Sequence, residues 1–305
     1  YFYRRGRKGR REVSAKTVGN LCVLSELCGE FVFEMVLVTK RQNLMYSLKN
    51  KIVFITGASS GIGASCAVQF ARQGAKLLLA ARRMERLDAF ADGLRKKFSA
   101  DIHTIHLDVR KRSEVESTMD TLPNGWKKIS VLVNNAGLAS GMATIQDGDV
   151  DDWEKMIDTN VKGLLYVSRA VIPGMIQRGE GHVINIGSIA GYEFYPKGNV
   201  YCATKAAVNA LTNTMRLDLN GTPIRVSTID PGLVETEFSI VRFHGDKERA
   251  DKAYEGITPL TADDIADAVL YCATRSPHIN IQQVVLMPTA QASTTMVHRM
   301  QPSQK

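Results

Sequence analysis

Short apolar runs alternate with segments of helical periodicity from residue 51 onward. The runs are rich in Val, Ile and Leu, as is typical of buried parallel strands. The segments between them, such as residues 64–73 and 83–98, carry apolar side chains at helical spacing. This alternation predicts an α/β fold with a single doubly wound parallel sheet and helices on both faces. The predicted strands are residues 51–55, 76–80, 103–107, 131–133, 184–186 and 225–229.

A glycine-rich turn at residues 56–63 follows the first predicted strand and precedes a helix. Its glycines permit a tight turn and a close approach of the main chain to a pyrophosphate, to which the helix N-terminus offers free N–H groups. An ordinary glycine-rich turn is the alternative, but the flanking strands and helix favour a dinucleotide site of the Rossmann type. The turn residues expected to bind the cofactor are Gly57, Ser59, Ser60, Gly61, Ile62 and Gly63.

Two arginines follow the second predicted strand, where an NAD site usually carries an acidic residue for the ribose. A guanidinium pairs with a 2′-phosphate, whereas a carboxylate repels it. The sequence therefore predicts NADP(H) rather than NAD(H), with Arg82 the stronger candidate, Arg83 the second, and Ser60 adding a hydroxyl. The alternative is that both arginines simply begin the solvated helix at 83–98.

Polar or glycine-rich residues stand at the end of each later strand as well. Asp108 and Val109 follow one strand, Asn135 follows the next, and the sequence Asp-Pro-Gly at residues 230–232 follows the last. Because the carboxyl ends of parallel strands share one edge of a sheet, these residues are expected to form a single ligand crevice.

Tyr201 and Lys205 are four residues apart, so a helix places both side chains on one face. An ammonium beside a phenol favours the phenolate and lowers the tyrosine pKa from its reference near ~10. Such a tyrosine can serve as a general acid or base. Ser188 follows the predicted strand 184–186, at the ligand-binding edge. Tyr-x-x-x-Lys is also common on surface helices, so the catalytic interpretation depends on the serine and the glycine-rich turn.

The chain resembles the short-chain dehydrogenase/reductase family over roughly residues 51–299, because four patterns match in order and spacing. They are Thr-Gly-x-x-x-Gly-x-Gly from Thr56, Asn-Asn-Ala-Gly from Asn134, Ser188 with Tyr201-x-x-x-Lys205, and Pro-Gly-x-x-x-Thr from Pro231. Within that family it is similar to the NADP-dependent 3-hydroxy acid dehydrogenases, which include serine and allo-threonine dehydrogenases. The segments behind this closer similarity are residues 199–201, 237–246 and 297–299.

The resemblance implies four catalytic residues. Asn160 would hold a water that connects Lys205 to solvent, and Ser188 would hydrogen-bond the reacting oxygen. Tyr201 would donate or accept the proton, while Lys205 would bind the nicotinamide ribose and depress the Tyr201 pKa. A structural ion pair is the alternative role for Lys205.

The resemblance also assigns the remaining cofactor contacts. Asp108 and Val109 would flank the adenine, and Asn135 would lie against the adenosine ribose. Thr236 would reach the nicotinamide carboxamide. The wall beside the nicotinamide would be formed by Pro231 and Gly232.

The implied reaction is hydride transfer between NADP(H) and a small 3-hydroxy acid, in which Ser188 and Tyr201 contact the substrate. The substrate carboxylate requires an arginine or free N–H groups. Arg242 is the candidate, because it lies where such enzymes place a mobile lid. The alternative is that Arg242 forms a surface ion pair with Asp246 or Glu248. Tyr192 to Phe194 are expected to line the pocket. Rival functions are a 3-oxoacyl thioester or sugar reductase and a non-catalytic NADP-binding sensor.

The resemblance implies a homotetramer. The helix after Tyr201 carries an apolar stripe of Val208, Leu211 and Met215, which could form a subunit contact. Packing in the core of the subunit explains that stripe equally well. The tail from about residue 286 is expected either to complete a subunit contact or to close the pocket.

Composition is typical of a soluble globular protein, with 44% hydrophobic and 23% charged residues. The net charge is +8. Residues 1–50 hold ten Lys/Arg and four Glu and so supply +6 of it, which leaves only +2 for the rest of the chain. This low charge predicts no nucleic-acid partner. Five scattered cysteines indicate reduced thiols and a cytoplasmic protein. No cluster of side chains predicts a metal site.

Residues 1–44 do not continue the strand and helix pattern. A basic run comes first, and the apolar stretch at 21–38 is interrupted by Glu26, Glu30 and Glu34 on one helical face, which fits an amphipathic helix better than a membrane span. We expect a disordered or non-native extension here, with a transit-peptide role as an alternative. The NADP-binding catalytic domain then spans residues 45–305, with Met45 its natural start.

Overall fold

The computed structural model describes residues 46–300. The expectation for residues 1–44 lies outside this range. Within the described range, seven parallel strands form one sheet in the order β3-β2-β1-β4-β5-β6-β9, so the predicted doubly wound α/β fold is confirmed. The sheet strands are β1 (Ile52–Thr56), β2 (Lys76–Ala81), β3 (Ile102–His106), β4 (Ile129–Asn134), β5 (Gly181–Ile186), β6 (Ile224–Pro231) and β9 (Gln283–Leu286).

Helices connect these strands and cover both faces of the sheet. Two further short strands, β7 (Val234–Glu235) and β8 (Leu260–Thr261), pair with each other outside the main sheet. The helices are α1 (Gly61–Arg72), α2 (Met84–Phe98), α3 (Arg112–Thr121), α4 (Val150–Ile157), α5 (Leu164–Arg178), α6 (Asn199–Asp218), α7 (Phe238–Arg242), α8 (Lys247–Lys252) and α9 (Ala262–Ala273).

The strand order reverses between β1 and β4. From β1 the chain builds outward through β2 and β3, then returns to place β4 on the other side of β1. The connections leaving β1 and β4 therefore diverge at the carboxyl ends of these strands and leave a crevice there, which is where open α/β sheets bind ligands.

Side chains on β1 alternate between two apolar layers. Val53 and Ile55 join the layer under α1 and α9, whereas Phe54 joins the layer under α5. All three are completely buried. The continuous apolar run thus exists because both faces of the strand are covered by helices.

The elements that the sequence pattern did not predict include β9, the short strands β7 and β8, and a π-helical turn. The strand β9 pairs only with β6 at the edge of the sheet, and its side chains alternate between exposed and half-buried, so it lacks the apolar run of a central strand. A π-helical turn, Asp158–Gly163, joins α4 to α5. Within residues 46–300, no helix combines the length and apolar character needed to cross a membrane.

Candidate active site

A cavity of about 580 Å³ lies at the carboxyl ends of the central strands and collects nearly all the predicted site residues. Gly63 and Asn160 do not line it; they lie behind its wall. The predicted residues that line it are Gly57, Ser59, Ser60, Gly61, Ile62, Arg82, Arg83, Asp108, Val109, Asn135, Ser188, Tyr201, Lys205, Pro231, Gly232, Thr236 and Arg242.

The glycine-rich turn has the geometry that its sequence predicts. Gly57 and Gly61 have φ of +67° and +53°, a region that side chains with a Cβ rarely adopt. At Gly63, a Cβ would lie 2.5 Å from both Asn135 Nδ2 and Gly57 O. Asn135 Nδ2 donates to Thr56 O at 2.9 Å and so ties the turn to the end of β4. The turn is therefore a preformed cradle of main-chain groups.

Arg83 lies directly beside this cradle. Its Nη2 donates to Ser60 Oγ at 2.9 Å and contacts Glu237 Oε2 at 3.2 Å. Arg86 pairs with the other Glu237 oxygen at 2.5 Å. Arg82 lines the same cavity. Sequence reasoning favoured Arg82 over Arg83 and missed Glu237, because Glu237 meets these arginines only through the tertiary fold.

Asp108 and Val109 form the far wall of the cavity. Arg110 donates to both Asp108 oxygens, at 2.9 and 2.5 Å, and holds the pKa of Asp108 below its ordinary value despite burial. The carboxylate thus stays ionised. A Cβ at Gly163 would lie 2.7 Å from Val109, so the π-helical turn packs directly on this wall.

Tyr201, Ser188 and Lys205 meet at the other end of the cavity. Ser188 Oγ accepts from Ala190 N at 3.1 Å and contacts Pro231 O at 3.5 Å. Tyr201 and Lys205 are buried one turn apart on α6. Lys205 Nζ lies 5.9 Å from the centre of the Tyr201 ring and donates to Ile186 O at 2.9 Å.

The pKa of Tyr201 corrects one expectation. Burial and the neighbouring Tyr195 raise the pKa of Tyr201, although hydrogen bonding by Ser188 and the charge of Arg242 oppose the rise. Lys205 donates to a main-chain carbonyl rather than to the Tyr201 hydroxyl, and burial is the largest influence on the tyrosine. Burial also lowers the pKa of Lys205 to about 8. Without an added positive charge, Tyr201 is a protonated acid at neutral pH.

Asn160 lies in the π-helical turn, behind Tyr201 and Lys205. Its Nδ2 donates to Leu138 O at 2.8 Å and to Thr204 Oγ1 at 3.0 Å, while its Oδ1 accepts from Leu138 N at 2.9 Å. A Cβ at Gly137 would lie 3.3 Å from Asn160 Oδ1 and 3.8 Å from Lys205 Nζ. Asn160 thus fixes the loop after β4 against α6, close to the lysine; its water-holding role stays a prediction.

Arg242, the last residue of α7, covers Tyr201. Its Cζ lies 5.4 Å from the Tyr195 ring centre and 5.6 Å from the Tyr201 ring centre. Its Nε is buried without a hydrogen-bond partner, and no carboxylate between residues 46 and 300 forms an ion pair with it. Asp246 instead caps α8 and Glu248 pairs with Lys252, so the expected alternative partners of Arg242 are otherwise engaged.

A family model described as short chain dehydrogenase matches residues 51–246. The chain belongs to the short-chain dehydrogenase family. It is 50% identical over 250 residues to the NADP-dependent 3-hydroxy acid dehydrogenase YdfG of Salmonella typhi, covering 81% of this chain and 99% of the relative. It is 46% identical over 242 residues to sulfoacetaldehyde reductase 2 of Chromohalobacter salexigens, covering 79% and 95%.

A solved structure of the closed form of serine dehydrogenase complexed with NADP⁺ is 46% identical. The match covers 82% of this chain and all of that chain, with a TM-score of 0.76. The resemblance seen in the sequence is thereby confirmed, and the chain has the fold of a short-chain dehydrogenase, an oxidoreductase.

The substrate end of this short-chain dehydrogenase differs from expectation at one loop. Tyr192 and Phe194 are 38% and 67% exposed and do not line the cavity, nor does Glu193; Tyr195 does. The chain turns at the 3-10 helix Ile189–Gly191, and sequence alone does not give the direction of the residues that follow.

The C-terminal tail also closes the cavity. Thr294 and Val297 line it, and so does Arg299, whose Nη2 donates to Ala253 O at 3.1 Å. The main chain of Met300 donates to Gly256 O at 2.8 Å. Of the two roles expected for the tail, these contacts support closing the pocket.

Proposed function

We propose that this short-chain dehydrogenase transfers a hydride between NADP(H) and the hydroxyl-bearing carbon of a small 3-hydroxy acid. The observation that carries the proposal is the Arg242 guanidinium above Tyr201, which has no carboxylate partner among the described residues and whose Nε makes no hydrogen bond. A half-buried guanidinium without such a partner within residues 46–300 favours an anionic substrate, because charge-assisted bonds to carboxylate are strong. The names of the relatives, 3-hydroxy acid dehydrogenase and serine dehydrogenase, support the same substrate class.

The residues of the cradle fit NADP(H). Gly57 and Gly61 line the cavity with main chain in the positive-φ region and so offer their backbone to a pyrophosphate. Gly63 packs behind them against Asn135 and Gly57 O, where a side chain would clash. Arg83, with Ser60 beside it, offers a guanidinium and a hydroxyl for a 2′-phosphate. Arg82 adds a second positive charge on the cavity wall. Asp108, Val109, Asn135, Pro231, Gly232 and Thr236 line the rest of the proposed cofactor site.

The bound cofactor would supply or accept the hydride, and the protein moves one proton. In reduction, Tyr201 donates its proton to the substrate oxygen, for which a protonated phenol is suited; in oxidation it takes the proton back. Ser188 orients that oxygen, and Arg242 holds the carboxylate. Lys205 binds the nicotinamide ribose, and Asn160 supports the route by which protons return from solvent.

Turnover with a panel of substrates tests this function. L-serine, L-allo-threonine, 3-hydroxyisobutyrate and 3-hydroxypropionate are followed by reduced-cofactor absorbance with NADP⁺ and with NAD⁺. We expect turnover of at least one acid with NADP⁺ preferred. Preference for an uncharged sugar or a 3-oxoacyl thioester would contradict the substrate class. Tight NADPH binding without any turnover would indicate a cofactor sensor instead.

The substrate panel also contains a sulfonate, sulfoacetaldehyde, because one relative is named a sulfoacetaldehyde reductase. A sulfonate is also an anion that an arginine binds, so Arg242 alone does not separate the two head groups. Comparison of kcat/KM for sulfoacetaldehyde and malonic semialdehyde under NADPH decides between them. We expect the carboxylate to be preferred, and a tenfold preference for the sulfonate would reassign the substrate.

We further propose a homotetramer. Leu165 and Ile176 of α5 and Leu217 of α6 are 39%, 44% and 73% exposed, and exposed apolar side chains favour an interface. Val208, by contrast, is buried in the core of the subunit. Light scattering during size-exclusion chromatography measures the mass, and a monomer would contradict the proposal.

We also propose a cytoplasmic enzyme whose catalytic domain begins at Met45. The three described cysteines are free and buried, consistent with reduced thiols.

Tyr46 N donates to Thr274 O at 2.8 Å and Leu48 is buried, so the domain needs the chain from there onward. A chain that begins at Met45 is expected to keep its cofactor binding and its thermal midpoint, and loss of either would refute this boundary.

A further inference from the structure

A buried carboxylate lies directly behind the catalytic serine. Asp230, near the end of β6, is only 1% exposed. It accepts from Thr228 Oγ1 at 2.7 Å, from Gln283 Nε2 at 2.6 Å, and from the main-chain N–H of Ser188. Neither the family patterns nor the proposed mechanism gives this side chain a role.

The fold reserves space for this carboxylate. A Cβ at Gly187 would lie 1.8 Å from Asp230 Oδ1, so any side chain at Gly187 would displace it. Gly187 N in turn donates to Ile229 O at 2.8 Å, which holds β5 and β6 together at this point. The main chain that enters Ser188 is therefore fixed from two sides, by the strand pairing and by the Asp230 carboxylate.

The donors around Asp230 favour its charged form. Burial raises the pKa of Asp230, but the amide of Gln283, the hydroxyl of Thr228 and the Ser188 N–H all oppose the rise. A carboxylate that only accepts hydrogen bonds suits three donors, whereas a protonated acid would leave one donor facing its own proton. Asp230 thus places a negative charge inside the active site.

That charge lies beside Lys205. Lys205 Nζ donates to Ile186 O at 2.9 Å, and the next residue, Gly187, packs directly against Asp230 Oδ1. Burial lowers the pKa of Lys205 to about 8, and the charge of Asp230 opposes this. Tyr192, after the 3-10 helix, is the other titratable group that Asp230 influences; burial first and then Asp230 raise its pKa. Among the described residues, the groups that face Asp230 from β5, β6, β9 and α6 are Ser188, Thr228, Gln283 and Lys205.

We propose that Asp230 is a positioning residue that fixes the main chain of Ser188 and keeps Lys205 in its ammonium form beside the cofactor ribose. The proposal rests on the proposed function for the contact between Lys205 and the ribose. Because a buried ammonium is costly without a nearby anion, the lysine depends on Asp230 to keep its charge near neutral pH.

The test is the pH dependence of NADPH binding to the full chain, followed by cofactor fluorescence, in the wild type and in Asp230→Asn. The wild type should lose affinity as pH rises through about 8, the pKa of Lys205. In Asp230→Asn the midpoint should fall by about one pH unit, a tenfold change in the lysine proton equilibrium. An unchanged midpoint would overturn the proposal.

Two controls keep this result interpretable. Lys205→Met should remove the pH dependence, which shows that the lysine is the titrating group; if the dependence persists, the proposal fails. If Asp230→Asn does not fold, Thr228→Val combined with Gln283→Leu removes two donors and drives Asp230 toward its protonated form. That double variant should also lower the midpoint, and an unchanged midpoint there is equally decisive against the proposal.

Binding without substrate separates this inference from the proposed function. A shifted midpoint together with no turnover of any hydroxy acid would retain the role of Asp230 and refute the substrate. Turnover of hydroxy acids with an unshifted midpoint would support the proposed substrate and refute the role of Asp230. A fall in kcat with unchanged substrate KM in Asp230→Asn at pH 6 would report the part of its role that acts through Ser188.

Discussion

His244 Nε2 lies 3.0 Å from Oδ2 of Asp152, which joins the segment after α7 to the first turn of α4. The carboxylate is buried, and its other oxygen accepts from Ser140 Oγ at 2.7 Å. Beside this contact, Gly141 N donates to Arg242 O at 2.9 Å. The connection between β4 and α4 therefore holds the segment that carries Arg242 over the active site.

Replacing His244 with Ala is expected to raise KM for hydroxy acids roughly threefold to fivefold with little change in kcat, since a single hydrogen bond contributes about 1 kcal/mol. Without the contact, a smaller fraction of molecules holds Arg242 in place, which weakens apparent binding by that fraction. Steady-state kinetics measures both constants. Lys155→Ala is the control, because Lys155 contacts Asp152 at 3.3 Å from the same helix. An equal rise in both variants would contradict the prediction.

Arg242→Ala tests the carboxylate site. A charge-assisted hydrogen bond contributes about 1.5–3 kcal/mol, so KM for hydroxy acids should rise roughly 10- to 100-fold, whereas KM for uncharged alcohols should change little. Arg249→Ala is a matched control, because its guanidinium lies 4.6 Å from the Phe243 ring and does not line the cavity. Equal effects of Arg242→Ala on charged and uncharged substrates would remove Arg242 from the substrate site.

Tyr201→Phe removes the proton donor and leaves the ring packed against Phe238, 5.7 Å away between centres. We expect kcat to fall by about 10²–10⁴, the usual contribution of a general acid, while the Kd for NADPH changes less than about twofold. Single-turnover absorbance and cofactor fluorescence give the two values. A variant that keeps most of its rate would show that another group moves the proton.

Arg83→Ala is expected to weaken NADPH binding about tenfold and NADH binding little, because only NADPH carries the 2′-phosphate. Arg82→Ala should have the same direction with a smaller effect, since Arg83 is the arginine bonded to Ser60. Kd values for both cofactors measure the selectivity. Arg95→Ala, whose guanidinium pairs with Asp92 at the other end of α2, is the control. A larger effect of Arg82→Ala would reverse the order of the two arginines.

Local spacing explains what the sequence could predict. Tyr201 and Lys205 share one face because they are one helical turn apart, and Ser188 stands at a strand end because the preceding run is apolar. The glycine-rich turn is likewise contained within residues 56–63. Each of these depends on neighbours in sequence, so pattern and composition sufficed to place them around one cavity.

Contacts between distant residues account for what was missed. Glu237 reaches Arg83 across 154 positions, and His244 meets Asp152 only when the segment after α7 folds back. The lowered pKa expected for Tyr201 is not found in this structure, because burial, a tertiary property, raises it. Tyr195 lines the cavity, whereas the expected residues 192–194 do not. The reason is again tertiary, because the 3-10 turn before them sets the direction of the chain.

Lys205 is expected to cost stability in return for its role in the site. Burial lowers its pKa from 10.5 to about 8, which corresponds to roughly 3 kcal/mol. Because the unfolded chain binds this proton more tightly than the folded one, the cost is fully present below pH 8 and disappears as pH rises through 10.5. Lys205→Met should therefore be the more stable protein at pH 7, by up to about 3 kcal/mol, and should lose that advantage near pH 10.5.

Urea unfolding of cofactor-free protein at pH 7 and pH 10.5 measures this difference directly. Lys162→Met is the control, since Lys162 is 52% exposed and pairs with Asp158 at 2.7 Å, so its charge costs nothing to keep in the folded state. That variant should gain no stability at either pH. A Lys205→Met variant less stable than the wild type at pH 7 would mean that the hydrogen bond to Ile186 O outweighs the cost of burying the ammonium.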